Sequence, residues 1–246
     1  GYGRDVVQVN SSENAFRTLV GDNAQLLFSG EGDAARQAAS LLSVLTLDQT
    51  AVTGGGDTLQ IGPTGAIAGE LGEAQLVGGM GEDVLSVYGA SVNAVLLGDN
   101  GQIQRNSGRN QALLSVGSLL PEQGAGDTLT LTHGEHVVIA GQGADKVIAG
   151  KGFGVVLGDS GNVSFGSSGK LASVSSSGIA QGGNDVLQLG VGVSAIDGDK
   201  VVVGGFGADT ISVQSQRGTA SLASERAVAG DNASMIFDIA GRLTSF

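Results

Sequence analysis

The sequence predicts an all-β protein wound as a parallel β-solenoid. Three observations carry that prediction. A long internal repeat recurs with its landmarks in fixed order. Short β-branched runs stand between glycines. The composition has 44 glycines against 2 prolines, with no cysteine and no tryptophan, in 246 residues. Repetition on this scale is the mark of stacked units that cannot bury their apolar faces alone.

Four landmarks define the repeat. The first, L-x-S-V (L-T-S-F in the last copy), begins at Leu41, Leu113, Leu171 and Leu243, at spacings of 72, 58 and 72 residues. The second is a glycine turn ending in aspartate before a short strand: Gly54 to Asp57, Gly124 to Asp127, and Gly182 to Asp185. The third is fuller, running from Gly78 through Gly79, Gly81 and Asp83, from Gly141 through Gly143 and Asp145, and from Gly204 through Gly205, Gly207 and Asp209. The opening residues up to Asp5 and Val7 are a partial copy of it. The fourth is G-D-N/S, at Gly21-Asp22-Asn23, Gly98-Asp99-Asn100, Gly158-Asp159-Ser160 and Gly230-Asp231-Asn232. The chain divides into a partial repeat over 1–40, repeats over 41–112, 113–170 and 171–242, and the start of another over 243–246. It opens and closes inside motifs, so it reads as a segment of something longer.

Runs such as Val137-Val138-Ile139, Val155-Val156-Leu157 and Val201-Val202-Val203 are short, β-branched and glycine-bounded, which predicts strands between tight turns. Glycine supplies the positive φ that such turns need. The stretches between G-D-N/S and the next L-x-S-V vary in length and read as loops protruding from one side. Residues 31–45 are alanine-rich, and a helical turn is expected there.

Composition narrows the function. Hydrophobic residues make up 41% of the chain, enough to bury a core, which argues against disorder. The net charge of −12, from 24 acids and 12 bases, argues against nucleic acid as a partner. The lack of cysteine excludes disulfides and thiolate metal sites. No apolar run approaches the roughly 18 residues of a membrane span, and no secretory leader opens the sequence.

Gly78 to Ser86 and Gly204 to Ser212 match every specified position of G-G-x-G-x-D-x-U-x, where U is apolar. Ala140 to Asp145 match with alanine for the first glycine. This resembles the nonapeptide of the RTX (hemolysin-type) calcium-binding repeats. The longer unit, with G-D-N-G and the later Phe237 to Ser245 segment, resembles the degenerate RTX arrays of very large secreted bacterial proteins. The resemblance covers essentially the whole chain. It implies a six-residue turn and a three-residue strand per nonamer, with two nonamers completing one coil of a right-handed parallel β-roll. It also implies calcium between successive turns, held by turn carbonyls and aspartate carboxylates, which here are Asp5, Asp57, Asp83, Asp127, Asp145, Asp185 and Asp209. Export by a type I route is implied as well. The physical logic is that aspartates stacked one coil apart repel, and a hard divalent ion with oxygen ligands turns that repulsion into a cross-link.

The phase of the repeat sharpens the expectation. Counting in nines from Asp127 gives His136, Asp145 and Gly154. Aligning strands elsewhere gives Asp57, Ala74, Asp83 and Ala94, then Asp185, Lys200, Asp209 and Arg226, with Asp5 and Arg17 in the partial copy. Aspartate thus occupies one edge, and the alternating edge never carries an acid. We expect cation sites on the first edge only, with the basic residues of the second solvated or paired to acids such as Glu135 or Glu225. Asp22, Asp99, Asp159 and Asp231 are candidates of a second tier, equally explained as turn formers.

Other motifs carry little. Gly158-Asp159-Ser160-Gly161 spells a serine-protease signature, but asparagine replaces the serine in the other copies, and the chain has only two histidines. His133, Glu135 and His136 lack the H-E-x-x-H spacing of a zinc hydrolase, and His136 is expected at a surface or turn. Gly150 to Gly154 lacks the strand-loop-helix setting of a phosphate loop. Phe28, Phe165 and Phe237 are expected to pack in the core or under loops.

The expected function is a non-catalytic, calcium-binding extracellular structural module, such as a spacer, adhesin, surface-layer, matrix or filament segment. The alternatives are a folding and secretion module beside a catalytic domain, and a cell-surface or glycan-binding module. Expected partners are calcium and neighbouring repeats of the same protein, with homotypic head-to-tail assembly as an extension. Neither nucleic acid nor a transmembrane segment is expected.

Overall fold

A computed structural model describes residues 3–10, 16–29, 40–50, 54–62, 72–89, 93–107, 112–191, 198–214 and 226–246. The chain begins with β1 (Val6–Val9), β2 (Arg17–Val20), β3 (Ala24–Phe28) and β4 (Leu41–Thr46). A six-strand cycle follows: β5 (Thr58–Ile61), β6 (Glu73–Val77), β7 (Val84–Val87), β8 (Asn93–Leu97), β9 (Gly101–Arg105) and β10 (Leu113–Ser118). The cycle repeats as β11 (Thr128–His133), β12 (His136–Ile139), β13 (Lys146–Lys151), β14 (Gly154–Leu157), β15 (Gly161–Phe165) and β16 (Leu171–Ser176). It repeats again as β17 (Val186–Leu189), β18 (Lys200–Gly205), β19 (Thr210–Val213), β20 (Arg226–Asp231), β21 (Ser234–Phe237) and β22 (Leu243–Ser245). The described residues include no helix, and so none able to cross a membrane.

These strands form three sheets. Sheet I is parallel, in the order β1-β5-β7-β11-β13-β17-β19, and sheet II is parallel, in the order β2-β6-β8-β12-β14-β18-β20. The chain crosses from sheet I to sheet II seven times, and each crossing, here called a step, stacks on the one before. Sheet III is antiparallel, in the order β22-β21-β16-β15-β10-β9-β4-β3.

Sheet II is the middle layer. Leu96, Val138, Val156 and Val202 on one of its faces pack with Leu59, Leu85, Leu129, Val147 and Leu187 of sheet I. Leu97, Ile139, Leu157 and Val203 on its other face pack with Val44, Ile103, Val116, Val163 and Val174 of sheet III. A strand buried on both faces needs consecutive apolar residues, which is why Val155-Val156-Leu157 and Val201-Val202-Val203 are unbroken. Strands of sheet I alternate instead: Leu59 and Ile61 are fully buried while Thr58 and Gln60 are half-buried.

Sheet III corrects two expectations. The stretches after G-D-N/S are not loops throughout; each begins with a strand (β3, β9, β15 or β21) that pairs with the following L-x-S-V strand. Of the alanine-rich segment, residues 31–39 lie outside the described residues, and Leu41 to Leu45 belong to β4 rather than to a helical turn.

The L-x-S-V motif itself has a simple cause. Side chains alternate along a regular strand, so residues three apart face opposite ways. Yet Leu41 and Val44, like Leu171 and Val174, are buried in the same cluster. The pairing explains this: Phe28 faces Leu41 while Leu27 faces Ser43, leaving Leu42 as an extra residue. Leu114, Ala172 and Thr244 are skipped in the same way. The x of the motif is a β-bulge, which resets the alternation so that both apolar residues point inward.

Opposite the motif leucine stands Phe28, Phe165 or Phe237, but Arg105 in the second copy. Phe165 and Phe237 pack against the core as expected, whereas Phe28 is 49% exposed on the edge strand. Arg105 is buried, pairs with Glu73 at 2.8 Å and lies 4.9 Å from the centroid of the Phe16 ring. Burial pulls its pKa down, and Glu73 opposes that shift. Breaking a buried pair strands a charge, whereas replacing both partners is often nearly neutral. Arg105→Phe alone should therefore destabilise the protein, and adding Glu73→Gln should recover much of the loss. Urea unfolding of the double-mutant cycle should give a coupling of about 1 kcal/mol or more.

Candidate metal centre

The aspartate of each glycine turn sits immediately before a strand of sheet I. The register of that sheet aligns Val6, Thr58, Val84, Thr128, Lys146, Val186 and Thr210 across its seven strands. The preceding residues Asp5, Asp57, Asp83, Asp127, Asp145, Asp185 and Asp209 therefore form one row. Hydrogen bonds join the row from end to end. The amide of Asp5 donates to Oδ1 of Asp57 at 2.7 Å, that of Asp57 to Asp83 at 2.6 Å, and that of Asp83 to Asp127 at 2.7 Å. The amide of Asp127 donates to Asp145 at 2.6 Å, that of Asp145 to Asp185 at 2.9 Å, and that of Asp185 to Asp209 at 2.9 Å. One carboxylate oxygen of every aspartate after the first thus accepts the amide of the preceding step.

The other oxygen is the chemically notable one. Oδ2 of Asp57, Asp83, Asp127, Asp145, Asp185 and Asp209 is buried without a hydrogen-bond partner. Asp57, Asp83, Asp127, Asp145 and Asp185 are buried, Asp209 is half-buried, and Asp5 on the edge strand is exposed. A buried ionised carboxylate lacking half its partners is costly unless a proton or a cation neutralises it. Burial accordingly raises the carboxyl pKa of Asp83 and Asp185 to about 8 and that of Asp145 to about 7, with neighbouring carboxylates adding to the rise. Asp127 and Asp99 are pushed well above the carboxylate range by burial and by surrounding aspartates.

Glycines shape the space around these oxygens. A Cβ on Gly78 would lie 2.2 Å from Oδ2 of Asp83 and 2.3 Å from the carbonyl oxygen of Gly98. A Cβ on Gly98 would lie 2.2 Å from Oδ2 of Asp127 and 2.1 Å from the carbonyl oxygen of Ala140. The unpartnered oxygens of Asp57, Asp83, Asp127, Asp185 and Asp209 each share a glycine-lined space with a main-chain carbonyl, of Gly78, Gly98, Ala140, Gly204 and Gly230 respectively, whereas at Asp145 the place of that glycine is taken by Ala140. The G-x-G of the third landmark has a different cause: Gly79 and Gly81, Gly141 and Gly143, and Gly205 and Gly207 all adopt positive φ.

This oxygen-only set, carboxylate plus carbonyl, fits a hard divalent cation in donor type. Among the described residues no three acidic or imidazole groups converge on one point. An ion there would take its remaining ligands from carbonyls and water.

The aspartates of G-D-N/S do something else. Asp99 accepts the amides of Ala125, at 3.3 Å, and Gln142, and so holds the turns of the next two steps. Asp159 does the same with the amides of Gly183, at 3.1 Å, and Phe206. Asp22 accepts the amide of Met80 at 2.7 Å. Asp22, Asp99 and Asp159 are buried, and Asp231 on the last step is exposed. Sequence reasoning ranked them second because Asp-Asn pairs are common in turns, and nothing local shows that they clip turns from a distance.

At the opposite edge the register aligns Arg17, Ala74, Ala94, His136, Gly154, Lys200 and Arg226, as the repeat phase predicts. His136 is not a surface or turn residue: it opens β12, is buried, and has its Nδ1 3.1 Å from the carbonyl oxygen of Gly134. Lys200 is not solvated but buried against turn carbonyls, and Glu225 lies outside the described residues. Comparison with protein-family models, curated protein sequences and solved structures finds no match to this chain.

Proposed function

We propose that the chain is a calcium-binding structural module: a segment of right-handed parallel β-solenoid in a large secreted protein, serving as a spacer, adhesin, surface-layer or matrix element. The observation that supports this reading most directly is the row of six buried, unpartnered Oδ2 oxygens. Asp57, Asp83, Asp127, Asp145, Asp185 and Asp209 would hold the ions together with turn carbonyls, and Asp5 would join them where another coil covers it. Calcium would supply the positive charge that lets adjacent carboxylates stay ionised and close. The resemblance to RTX repeats supports the same ion. Low calcium before export and millimolar calcium outside would then couple folding to location. The role is structural rather than catalytic, and the natural neighbours are further repeats, within one chain or head to tail between chains.

The test is far-ultraviolet circular dichroism and thermal melting during a calcium titration, with chelator and magnesium controls. Each site filled at tenfold excess over its Kd adds about 1.4 kcal/mol, so several sites should produce a cooperative gain in β signal and in Tm. An unchanged spectrum and Tm in chelator would remove calcium from the account.

A further inference from the structure

The edge without aspartates has its own cross-link. Lys200 is completely buried, at 0% exposure. Its ammonium donates to the carbonyl oxygens of Gly152 and, at 2.9 Å, Gly198. Gly152 belongs to the turn between β13 and β14, and Gly198 to the turn that leads into β18, so the ammonium joins the turns of successive steps. Space for it comes from the register. Lys200 neighbours Gly154, which in turn neighbours His136, and a Cβ on Gly154 would lie 2.3 Å from Nε2 of His136. The missing side chain lets the imidazole and the lysine stem occupy one column.

We infer that the pair of carbonyls at Gly152 and Gly198 is a cation site built into this edge, and that the ammonium of Lys200 is its permanent occupant. A positive charge held by turn carbonyls of consecutive steps performs here the cross-linking proposed for a divalent ion on the aspartate edge. Being covalently attached, it stays in place when metal is withdrawn. The inference does not require calcium at the other edge.

Thermal melting of Lys200 variants tests it. Lys200→Met leaves the carbonyls without their donor and should lower Tm by roughly 5–10 °C. The loss should be the same in calcium and in chelator. Lys200→Gly should lose more, and should recover part of the loss in n-butylammonium, which replaces the missing side chain. It should not recover in n-butyltrimethylammonium, which carries the charge but no N–H. A Lys200→Met protein that melts with the wild type, or equal rescue by both amines, overturns the inference. Reductive methylation of the folded wild-type protein gives a measurement independent of any variant. Lys200 should stay unmodified while the exposed Lys146 reacts, and equal labelling of the two overturns the inference.

Discussion

Asp127→Ala is expected to lower Tm by roughly 10 °C or more, while Asp127→Asn should move it in opposite directions with and without calcium. Asp127 is buried in the middle of the row, and its Oδ1 accepts the Asp83 amide at 2.7 Å. Alanine removes that acceptor and leaves a buried amide unpaired, beside a void where the carboxylate stood. Asparagine keeps the acceptor and replaces Oδ2 with a neutral NH2 that can donate toward the adjacent carbonyl. Without metal the wild-type side chain is penalised in alkaline solution, because burial and the neighbouring Asp99, Asp83 and Asp145 all oppose its ionised form. The asparagine protein is free of that penalty and should melt above the wild type in chelator. In saturating calcium it has lost a charged ligand and should melt below. If the asparagine variant gains as much from calcium as the wild type, no ion uses that oxygen.

The alanine and asparagine proteins separate two roles of one side chain. The Oδ1 role is a hydrogen bond between steps and needs no ion. The Oδ2 oxygen has no protein partner, and it is the oxygen proposed to meet a cation. A row that served hydrogen bonding alone could use asparagine throughout, as Asn184 does when its Oδ1 accepts the Ala208 amide at 2.7 Å. Aspartate stands at all seven positions, which fits the proposed use of its charge.

Both edges were legible because the strands in sheets I and II are anchored by apolar runs whose spacing survives insertion. Counting from Asp127 through His136 and Asp145 to Gly154 is counting strand to strand, so it returns the observed register. Sheet III was harder to read. Asn162-Val163-Ser164 has the polar-apolar alternation of a half-exposed strand, and Val163 is fully buried, but its partner L-x-S-V breaks the two-residue period. The bulge at Ala172 restores the pairing, and a bulge has no signature within one short strand. Lys200 and His136 were misplaced for a related reason. Their burial depends on Gly152 and Gly154, residues brought alongside by stacking, and the sequence next to either residue does not report it.

Without calcium, the protein should lose stability as pH rises from about 4 to about 8, and with saturating calcium it should lose stability as pH falls. The first trend follows from the direction of the shifts. Asp22 and Asp159 are raised to about 6, Asp145 to about 7, and Asp83 and Asp185 to about 8, chiefly by burial, from an ordinary value of 3.8. A group whose folded pKa exceeds its unfolded pKa stabilises the fold fully below the unfolded value, and that contribution is lost as pH passes the folded value. Between about 4 and 8 the folded chain therefore holds protons that the unfolded chain has released. Each such proton changes stability by about 1.4 kcal/mol per pH unit. With Asp145, Asp83 and Asp185 deprotonating at the upper end of the window, metal-free Tm should fall by roughly 10 °C between pH 6 and 8.5. Calcium reverses the sign because its ligands must be ionised: protons then compete with the ion, and acid releases it. Two curves of Tm against pH, in chelator and in calcium, should converge near the acidic end and diverge above neutrality. Parallel curves would mean that the ion and the proton act on different groups, and that the unpartnered oxygens of the aspartate row do not bind the metal.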